Sequence, residues 1–136
     1  IPAHIFRLSG IYGPGRNILE TLKAGTAHHI DKPGQFFSRI HVDDIVQILE
    51  SSIKTPKPNN IYNCADNQPT SQSEIVTFGA ELLGITPPQK TPFEKADLSD
   101  MARSFYQNNR RVSNQKIKNE LKITLKYPTY KEGLKH

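Results

Sequence analysis

Residues 7–17, Arg7-Leu-Ser-Gly-Ile-Tyr-Gly-Pro-Gly-Arg-Asn17, decide the fold of this chain. The apolar residues around the start of this stretch predict a strand over residues 4–9, buried on both faces as parallel strands are. The apolar spacing after it predicts a helix that is capped by Asn17 and ends near Gly25. A strand that turns through glycines into a helix presents backbone N–H groups at the mouth of an open α/β sheet, where ligands bind.

Three further segments follow in a fixed order: RIHVDDIVQIL at residues 39–49, IYNCADNQPTSQSEIVTFGAELLG at residues 61–84 and RVSNQKIKNELKI at residues 111–123. Together with RLSGIYGPGRN they cover nearly the whole chain. The ordered set resembles the C-terminal half of an extended short-chain dehydrogenase/reductase, the NAD-dependent epimerase/dehydratase family. A Gly-rich turn alone is a weak indication, whereas four motifs in order are much more specific.

The resemblance implies an α/β fold, namely the C-terminal part of a Rossmann-type parallel sheet plus most of a small α/β substrate-binding lobe. Residues 1–136 then form one partial domain. Residues 1–70 supply the last sheet strands with their helices and the nicotinamide-side loop. Residues 71–136 supply mainly the lobe and a terminal helix.

The same resemblance implies a function. The parent protein is expected to be an NAD(P)-dependent epimerase, dehydratase or reductase that binds NAD or NADP mainly through an N-terminal half. That half carries the dinucleotide fingerprint and the catalytic Tyr-x-x-x-Lys in the family, and this sequence starts after both, so it is expected to be a fragment that is inactive alone. The alternative is a non-catalytic module of the same fold that senses a dinucleotide or has a structural role.

The glycines of the first motif allow three interpretations. The pattern G-x-x-G-x-G favours a dinucleotide fingerprint, but Pro14 lies inside the turn and no acidic residue ends a second strand about 20 positions on. The resemblance instead implies a cofactor-binding loop beside the nicotinamide, made of Ser9, Gly10, Ile11 and Tyr12. A purely structural turn is the third alternative.

The residues expected to bind substrate lie in or near the first two motifs, apart from one that lies in the last motif. The candidates are Arg16, Asn17, Phe37, Arg39 and Arg111. Arg39 has two open roles, binding an anionic ligand or pairing with Asp43 or Asp44, and the Arg110-Arg111 pair binds phosphate or is merely solvated. Family members that act on nucleotide sugars commonly carry an Asn where this chain has Gly10 and a diphosphate-binding Arg where it has Phe36 or Phe37. Because Phe cannot form charge-assisted bonds to a diphosphate, the substrate is expected to differ from a nucleotide sugar.

Two patterns that resemble metal or catalytic sites are better explained by structural roles. Asp43 and Asp44 directly precede a helical stripe, which favours an N-terminal cap over a metal or acid–base site. Tyr127-Pro-Thr-Tyr-Lys131 matches Tyr-x-x-x-Lys, but the proline predicts that Tyr127 stands at the entrance of a short terminal helix with Pro128 at its first position. The match is therefore interpreted as coincidence.

The remaining elements follow from local patterns. Strands are predicted over residues 36–42 and 61–64. A helix is predicted after Ser71, which with Glu74 makes a capping box, and it ends at Gly84. Another helix is predicted after Ser113.

Composition narrows the class of protein. Lys plus Arg number 18 and Asp plus Glu 13, a net charge of +5 that weakly favours anionic ligands. The single cysteine, Cys64, excludes an internal disulfide and fits a cytoplasmic protein. The expected partner is a small-molecule substrate, either phosphorylated or a sugar derivative. No nucleic acid, membrane or metal is expected, and a homodimer is left open.

Overall fold

The computed structural model describes residues 4–54, 60–106 and 113–135. Short strands alternate with helices along the chain, and a single 3-10 turn spans Phe93–Lys95. The elements are β1 (His4–Leu8), β2 (Gly10–Tyr12), α1 (Ile18–Ala24), β3 (Ile30–Asp31), β4 (Arg39–His41), α2 (Val42–Lys54), β5 (Asn60–Cys64), α3 (Gln72–Leu83), β6 (Thr91–Pro92), α4 (Asp100–Phe105), α5 (Gln115–Glu120) and α6 (Tyr130–Leu134).

Every strand pair in the described chain is parallel. β1 pairs with β5, β2 with β4, and β3 with β6. Parallel neighbours need crossover connections, and α1 lies between the paired strands β2 and β4 in the sequence as such a connection requires. The α/β class expected from the sequence is confirmed, with three two-stranded parallel sheets in the described chain.

The caps of two helices agree with the sequence. The Asn17 side chain accepts hydrogen bonds from the N–H groups of Leu19 and Glu20, and Gly25 ends α1 in the left-handed region with φ 72°. Ser71 caps α3 by accepting from the Glu74 N–H. The predicted capping box is only half formed, because the Glu74 carboxylate accepts from the Thr70 hydroxyl instead.

The start of helix α2 differs from the prediction. The strand expected over residues 36–42 shortens to Arg39–His41, and α2 begins at Val42. Asp43 and Asp44 therefore lie inside the first turn and do not cap the helix; the Asp43 N–H donates instead to Nδ1 of His41 at 3.0 Å. The prediction that Asp43 or Asp44 caps α2 is wrong, although their position in the first turn still favours the helix dipole.

The C-terminal helices, in contrast, begin later than expected. α6 starts at Tyr130, with Thr129 as its N-cap in a full capping box with Glu132, so Pro128 is not its first residue. Tyr127 stands before the helix and stacks on His41 with 4.0 Å between ring centres. The helix predicted after Ser113 starts at Gln115 after Asn114.

The core divides into two main clusters and a smaller one. The first joins β4, β5, α2 and α5 through Ile40, Ile48, Tyr62 and Ile117. The second joins α1, α3 and α6 to β2. The third contains Ile30, Ala96 and Tyr106.

The first strand is less buried than its sequence predicts. Ile5 is 54% exposed and Leu8 48% exposed. Among the described residues, β1 has a hydrogen-bonded neighbour on one side only, β5. The expectation of burial on both faces is therefore wrong for this chain: helices packed on the sheet bury the faces of a parallel strand, and Ile5 and Leu8 lack such cover among the described residues.

Candidate functional site

A cavity of about 580 Å³ opens between the β2–β4 pair and helices α1, α3 and α4. Its walls are mostly apolar. They include Ile18, Ile30, Phe37, Ile75, Leu98 and Phe105. Cavities of this size and character are typical of small-molecule sites.

Gly10 and Arg39 lie side by side at this cavity. They are register partners in the β2–β4 pair, and both line the cavity wall. A Cβ at Gly10 would lie 3.5 Å from the Ser38 carbonyl oxygen and 3.8 Å from Cγ of Arg39, which are ordinary contacts. The missing side chain of Gly10 thus opens space in the cavity without being required by the backbone.

The predicted loop at residues 9–12 is mostly strand. The Ser9 N–H donates to the Cys64 carbonyl at 3.1 Å and the Gly10 N–H to the Ser38 carbonyl at 3.2 Å. Gly10 and Tyr12 line the cavity, whereas Ser9 and Ile11 are half-buried and lie outside its lining. The prediction of a free loop is corrected, since its backbone pairs with β5 and β4.

Arg39 is half-buried, and its hydrogen bonds to described residues go to main-chain oxygens. Its Nη1 donates to the carbonyls of Phe37 at 3.3 Å and Thr70 at 3.4 Å. Burial lowers the pKa of the guanidinium, while the nearby Asp66 carboxylate opposes that shift. Of the two roles left open by the sequence, the hydrogen bonds do not favour pairing with Asp43 or Asp44.

Tyr12 forms a rigid part of the cavity wall. Its side chain is 6% exposed, and its hydroxyl donates to the Thr129 carbonyl at 3.5 Å. Burial, with the charges of Asp66 and Asp44, raises the pKa of the phenol well above its usual value. The raised pKa keeps this phenol protonated near neutral pH, and its buried ring forms part of the cavity wall.

Of the other predicted substrate residues, some line the cavity and some do not. Phe37 lines the cavity, and its ring packs edge-on against Tyr106 at 5.2 Å. Asn17 also lines it, but its side chain is used in capping α1 and in donating to the Gly13 carbonyl at 2.9 Å. Arg16 is exposed, pairs through its backbone with Gly13 and lies outside the lining. Arg111, with Arg110, lies outside the described residues.

The sequence did not single out two contributors to this region. Helix α4 supplies Ala102 and Phe105 to the cavity wall. Asp66 is 3% exposed behind it, and its main-chain N–H donates to the Arg39 carbonyl at 2.7 Å. Its place just after β5 was the available indication, because polar residues at the carboxyl ends of parallel strands form sites.

The Asp66 carboxyl group is incompletely satisfied. Oδ1 accepts from the Gln68 N–H at 3.0 Å, whereas Oδ2 has no hydrogen-bond partner among the described residues. Burial raises the pKa of this carboxyl group to about 7, and the Gln68 hydrogen bond and the Arg39 charge oppose the shift. Asp66 therefore titrates near neutral pH.

A smaller cavity of about 260 Å³ adjoins the β3–β4 connection. Lys32, one of its lining residues, donates to the Tyr106 carbonyl, and its Nζ lies 4.7 Å from the centre of the Phe93 ring. These contacts hold the ammonium group within the fold. Lys32 thus stabilises the third core cluster.

Two kinds of site are absent from the part of the chain that the structure describes. Within residues 4–54, 60–106 and 113–135, no helix combines the length and apolar character needed to cross a membrane. The same residues contain no group of three or more His, Cys, Asp or Glu side chains arranged to hold a metal ion.

Comparison with known proteins places the fold. No family model and no curated protein matches the sequence. A protein of unknown function from Silicibacter pomeroyi DSS is similar over 98% of this chain and 47% of its own, with 49% identity and a TM-score of 0.92.

More distant structures share the fold. Human epimerase family protein SDR39U1 (isoform 2), solved with NADPH, is 20% identical with a TM-score of 0.79, over 97% of this chain and 46% of its own. The UDP-glucose 4-epimerase of Thermotoga maritima, solved with UDP-glucose, is 21% identical with a TM-score of 0.73, over 99% and 44%. The resemblance predicted from the motifs is confirmed: this chain has the Rossmann-type fold of the NAD-dependent epimerase/dehydratase proteins and spans less than half the length of each of these three structures.

Proposed function

We propose that this chain is the substrate-binding portion of an NAD(P)-dependent epimerase, dehydratase or reductase, with the 580 Å³ cavity as its substrate site. The observation that carries the proposal is a convergence. Gly10 and Tyr12 of the first motif meet Arg39 of the second motif, and Phe37 just before it, on one concave, apolar surface. Gly10 follows the carboxyl end of β1 by two residues, where open α/β sheets bind ligands.

In this proposal the two parts of the chain share the site. Residues 1–70 supply the β2–β4 wall, and residues 71–136 supply the lobe through Gln72, Ile75 and helix α4. A cytoplasmic location and a homodimeric state complete the proposal.

In this proposal the nicotinamide of NAD or NADP lies close to the backbone of Gly10. Gly10 is exposed, and its backbone lies open beside the cavity. The N–H groups of Ser9 and Gly10 already donate to carbonyl oxygens, so the contacts proposed for Ser9, Gly10 and Ile11 are chiefly van der Waals contacts. When bound, a nicotinamide exchanges a hydride with the substrate.

The proton transfer of such a reaction needs a Tyr and a Lys four residues apart on one helix, and neither tyrosine in the described cavity lining, Tyr12 or Tyr106, has a Lys at that spacing. The Tyr12 hydroxyl donates a hydrogen bond to the Thr129 carbonyl, and Tyr127 stacks on His41 ahead of α6. Neither residue is arranged with Lys131 on a helix. We therefore expect the 136-residue chain alone to show no turnover of NAD(P)H.

The test compares two glycine variants in the complete protein that contains this chain. Gly10→Val introduces a branched side chain at the cavity and is expected to weaken NAD(P)H binding about tenfold or more, measured by fluorescence titration. Gly15→Ala is the control, since Gly15 lies in the same motif, has no atom within 4 Å of an added Cβ and lies outside the cavity lining. Normal cofactor binding by Gly10→Val would refute the proposed place of the cofactor.

A further inference from the structure

The described lining of the cavity contains very few charged side chains. Among the described residues that form it, Arg39 is the single Asp, Glu, Lys or Arg. The other wall residues are mainly aliphatic or aromatic, and the rings among them include Phe37 and Tyr106, which are in contact with each other, and Phe105. A ligand that fills this cavity therefore meets one positive charge and a large apolar surface.

The guanidinium of Arg39 has donors left for a ligand. Its bonds to the Phe37 and Thr70 carbonyls both use Nη1 and are long, at 3.3 and 3.4 Å. No bond from Nη2 or Nε to a described residue accompanies them. An arginine fork with two free donors matches the two oxygens of a planar carboxylate.

The walls disfavour a highly charged ligand. A nucleoside diphosphate brings at least two negative charges, and one arginine neutralises one of them. Phe37 lies two residues before Arg39 and packs against Tyr106, so the described part of this wall offers rings and no second cation. Burial of the remaining phosphate charge against these rings costs free energy that no described side chain offsets.

We propose that the substrate is an apolar, ring-containing molecule with a single carboxylate, which Arg39 binds while Phe37 and Tyr106 contact the ring. This inference rests on the proposed function and specifies the substrate class of the same site. It makes Arg39 the residue that determines specificity for the anionic group.

The experiment uses three probes with the full chain: 2-naphthoate, its neutral analogue 2-naphthamide of matched shape, and uridine diphosphate. Binding is followed by the amide NMR shifts of cavity residues Gly10, Gln72 and Ala102. We expect 2-naphthoate to bind about tenfold or more tightly than 2-naphthamide, because a charge-assisted bond is added. Uridine diphosphate is expected to bind more weakly than 2-naphthoate.

Variants locate the charge effect. Arg39→Met is expected to abolish the preference for 2-naphthoate while keeping 2-naphthamide binding, which also reports an intact cavity. Arg39→Lys retains the charge without the fork and is expected to keep part of the preference. Arg16→Met is the matched control at an exposed arginine outside the cavity, and it should bind both probes as the original chain does.

The outcomes separate the two proposals. Equal binding of 2-naphthoate and 2-naphthamide, or tighter binding of uridine diphosphate, overturns the substrate class but leaves the cavity as a ligand site. If neither naphthalene compound shifts the cavity amides, both the substrate class and the proposed substrate site are wrong. A preference for 2-naphthoate that persists in Arg39→Met overturns the role of Arg39.

Discussion

The cavity and the outer surface of α2 are both apolar and both open to solvent, yet they differ in shape and charge. The cavity is concave and contains Arg39. The exposed stripe of α2 consists of Val46, Leu49 and Ile53, which recur on one face of the helix and are 50%, 44% and 83% exposed. The concave surface has the properties of a small-molecule site, whereas the stripe is an exposed, convex apolar surface without a pocket, which a ligand cannot enter.

Helix α2 shows why composition alone does not separate these two cases. Its inner side is apolar as well, with Ile48 buried and Ile45 packed against the first core cluster. A helix that is apolar on opposite sides is usually buried on both. The difference between a ligand site and an uncovered surface is therefore set by neighbouring elements, and variants on each surface should behave differently.

The largest expected effect concerns the cavity wall, in the variant Gly133→Ala. An added Cβ would lie 1.9 Å from the Tyr12 hydroxyl oxygen and 2.6 Å from the nearest ring carbons. Tyr12 is buried in the second core cluster and cannot move freely, so we expect a loss of about 3 kcal/mol or more in the free energy of unfolding. Urea denaturation measures this loss.

Gly15→Ala is the matched control for that change. An added Cβ at Gly15 meets no atom within 4 Å, so its cost comes only from the positive φ of 80°. That cost is expected to be about 1 kcal/mol. If Gly133→Ala is no more destabilising than Gly15→Ala, the tight packing of Tyr12 against α6 is not real.

The second prediction concerns the charge behind the cavity. Burial raises the pKa of Asp66 from 3.8 to about 7, so between these values the folded chain binds more protons than the unfolded chain. The contribution of Asp66 to stability is therefore present at low pH and is lost as pH rises through about 7. The free energy of unfolding of Asp66→Asn, relative to that of the original chain, should therefore rise by about 3 kcal/mol when the pH is raised from 5 to 8.

The control for Asp66 comes from the exposed stripe. Val46→Thr alters a surface without a buried charge, so its effect on stability should be the same at both pH values. Urea denaturation of both variants at pH 5 and pH 8 provides the comparison. A pH-independent effect of Asp66→Asn would show that the carboxyl group titrates normally in the folded chain.

The third prediction concerns Asp44, which joins α2 to the segment that leads into α6. It is fully buried; Oδ1 accepts from the Lys126 N–H at 2.8 Å, and Oδ2 from the Tyr127 N–H at 3.1 Å. In Asp44→Asn one of these N–H groups faces an amide NH₂ and loses its acceptor. We expect a loss of about 2 kcal/mol, more than a helix cap would predict, because the unpaired group is buried.

An exposed acid on the same helix provides the comparison for Asp44. Glu50→Gln is expected to change the free energy of unfolding by less than about 0.5 kcal/mol. Equal effects of the two changes in thermal or urea denaturation would mean that the bonds from Asp44 to residues 126 and 127 contribute nothing.

The sequence predicted the features that depend on near neighbours along the chain. The caps of α1 at Asn17 and of α3 at Ser71 were found because each is made within three residues of the capping side chain. The fold class followed from the order of the motifs. Gly10 and Arg39 were identified as candidates, but only the β2–β4 pairing shows that they lie side by side.

What the sequence could not predict depends on tertiary contacts. Asp44 has the local pattern of a helix cap, and its actual partners lie 82 and 83 residues away. The burial of Asp66 and the part of α4 in the cavity have the same origin. The exposure of Ile5 was missed for the opposite reason, because an apolar strand predicts burial whether or not a neighbour is present to cover it.

The smallest expected effect on stability is at the exposed stripe, in the double variant Val46→Glu, Ile53→Glu. Neither side chain packs in a described core cluster, so the free energy of unfolding should change by less than about 0.5 kcal/mol. Two added carboxylates should nevertheless repel a second copy of the chain. We expect the original chain to self-associate in sedimentation-velocity experiments and the double variant to associate at least about tenfold more weakly. Glu50→Gln is the control and should not weaken association. If the original chain stays monomeric at high concentration, this prediction is wrong, and the exposed stripe of α2 is an ordinary solvated surface.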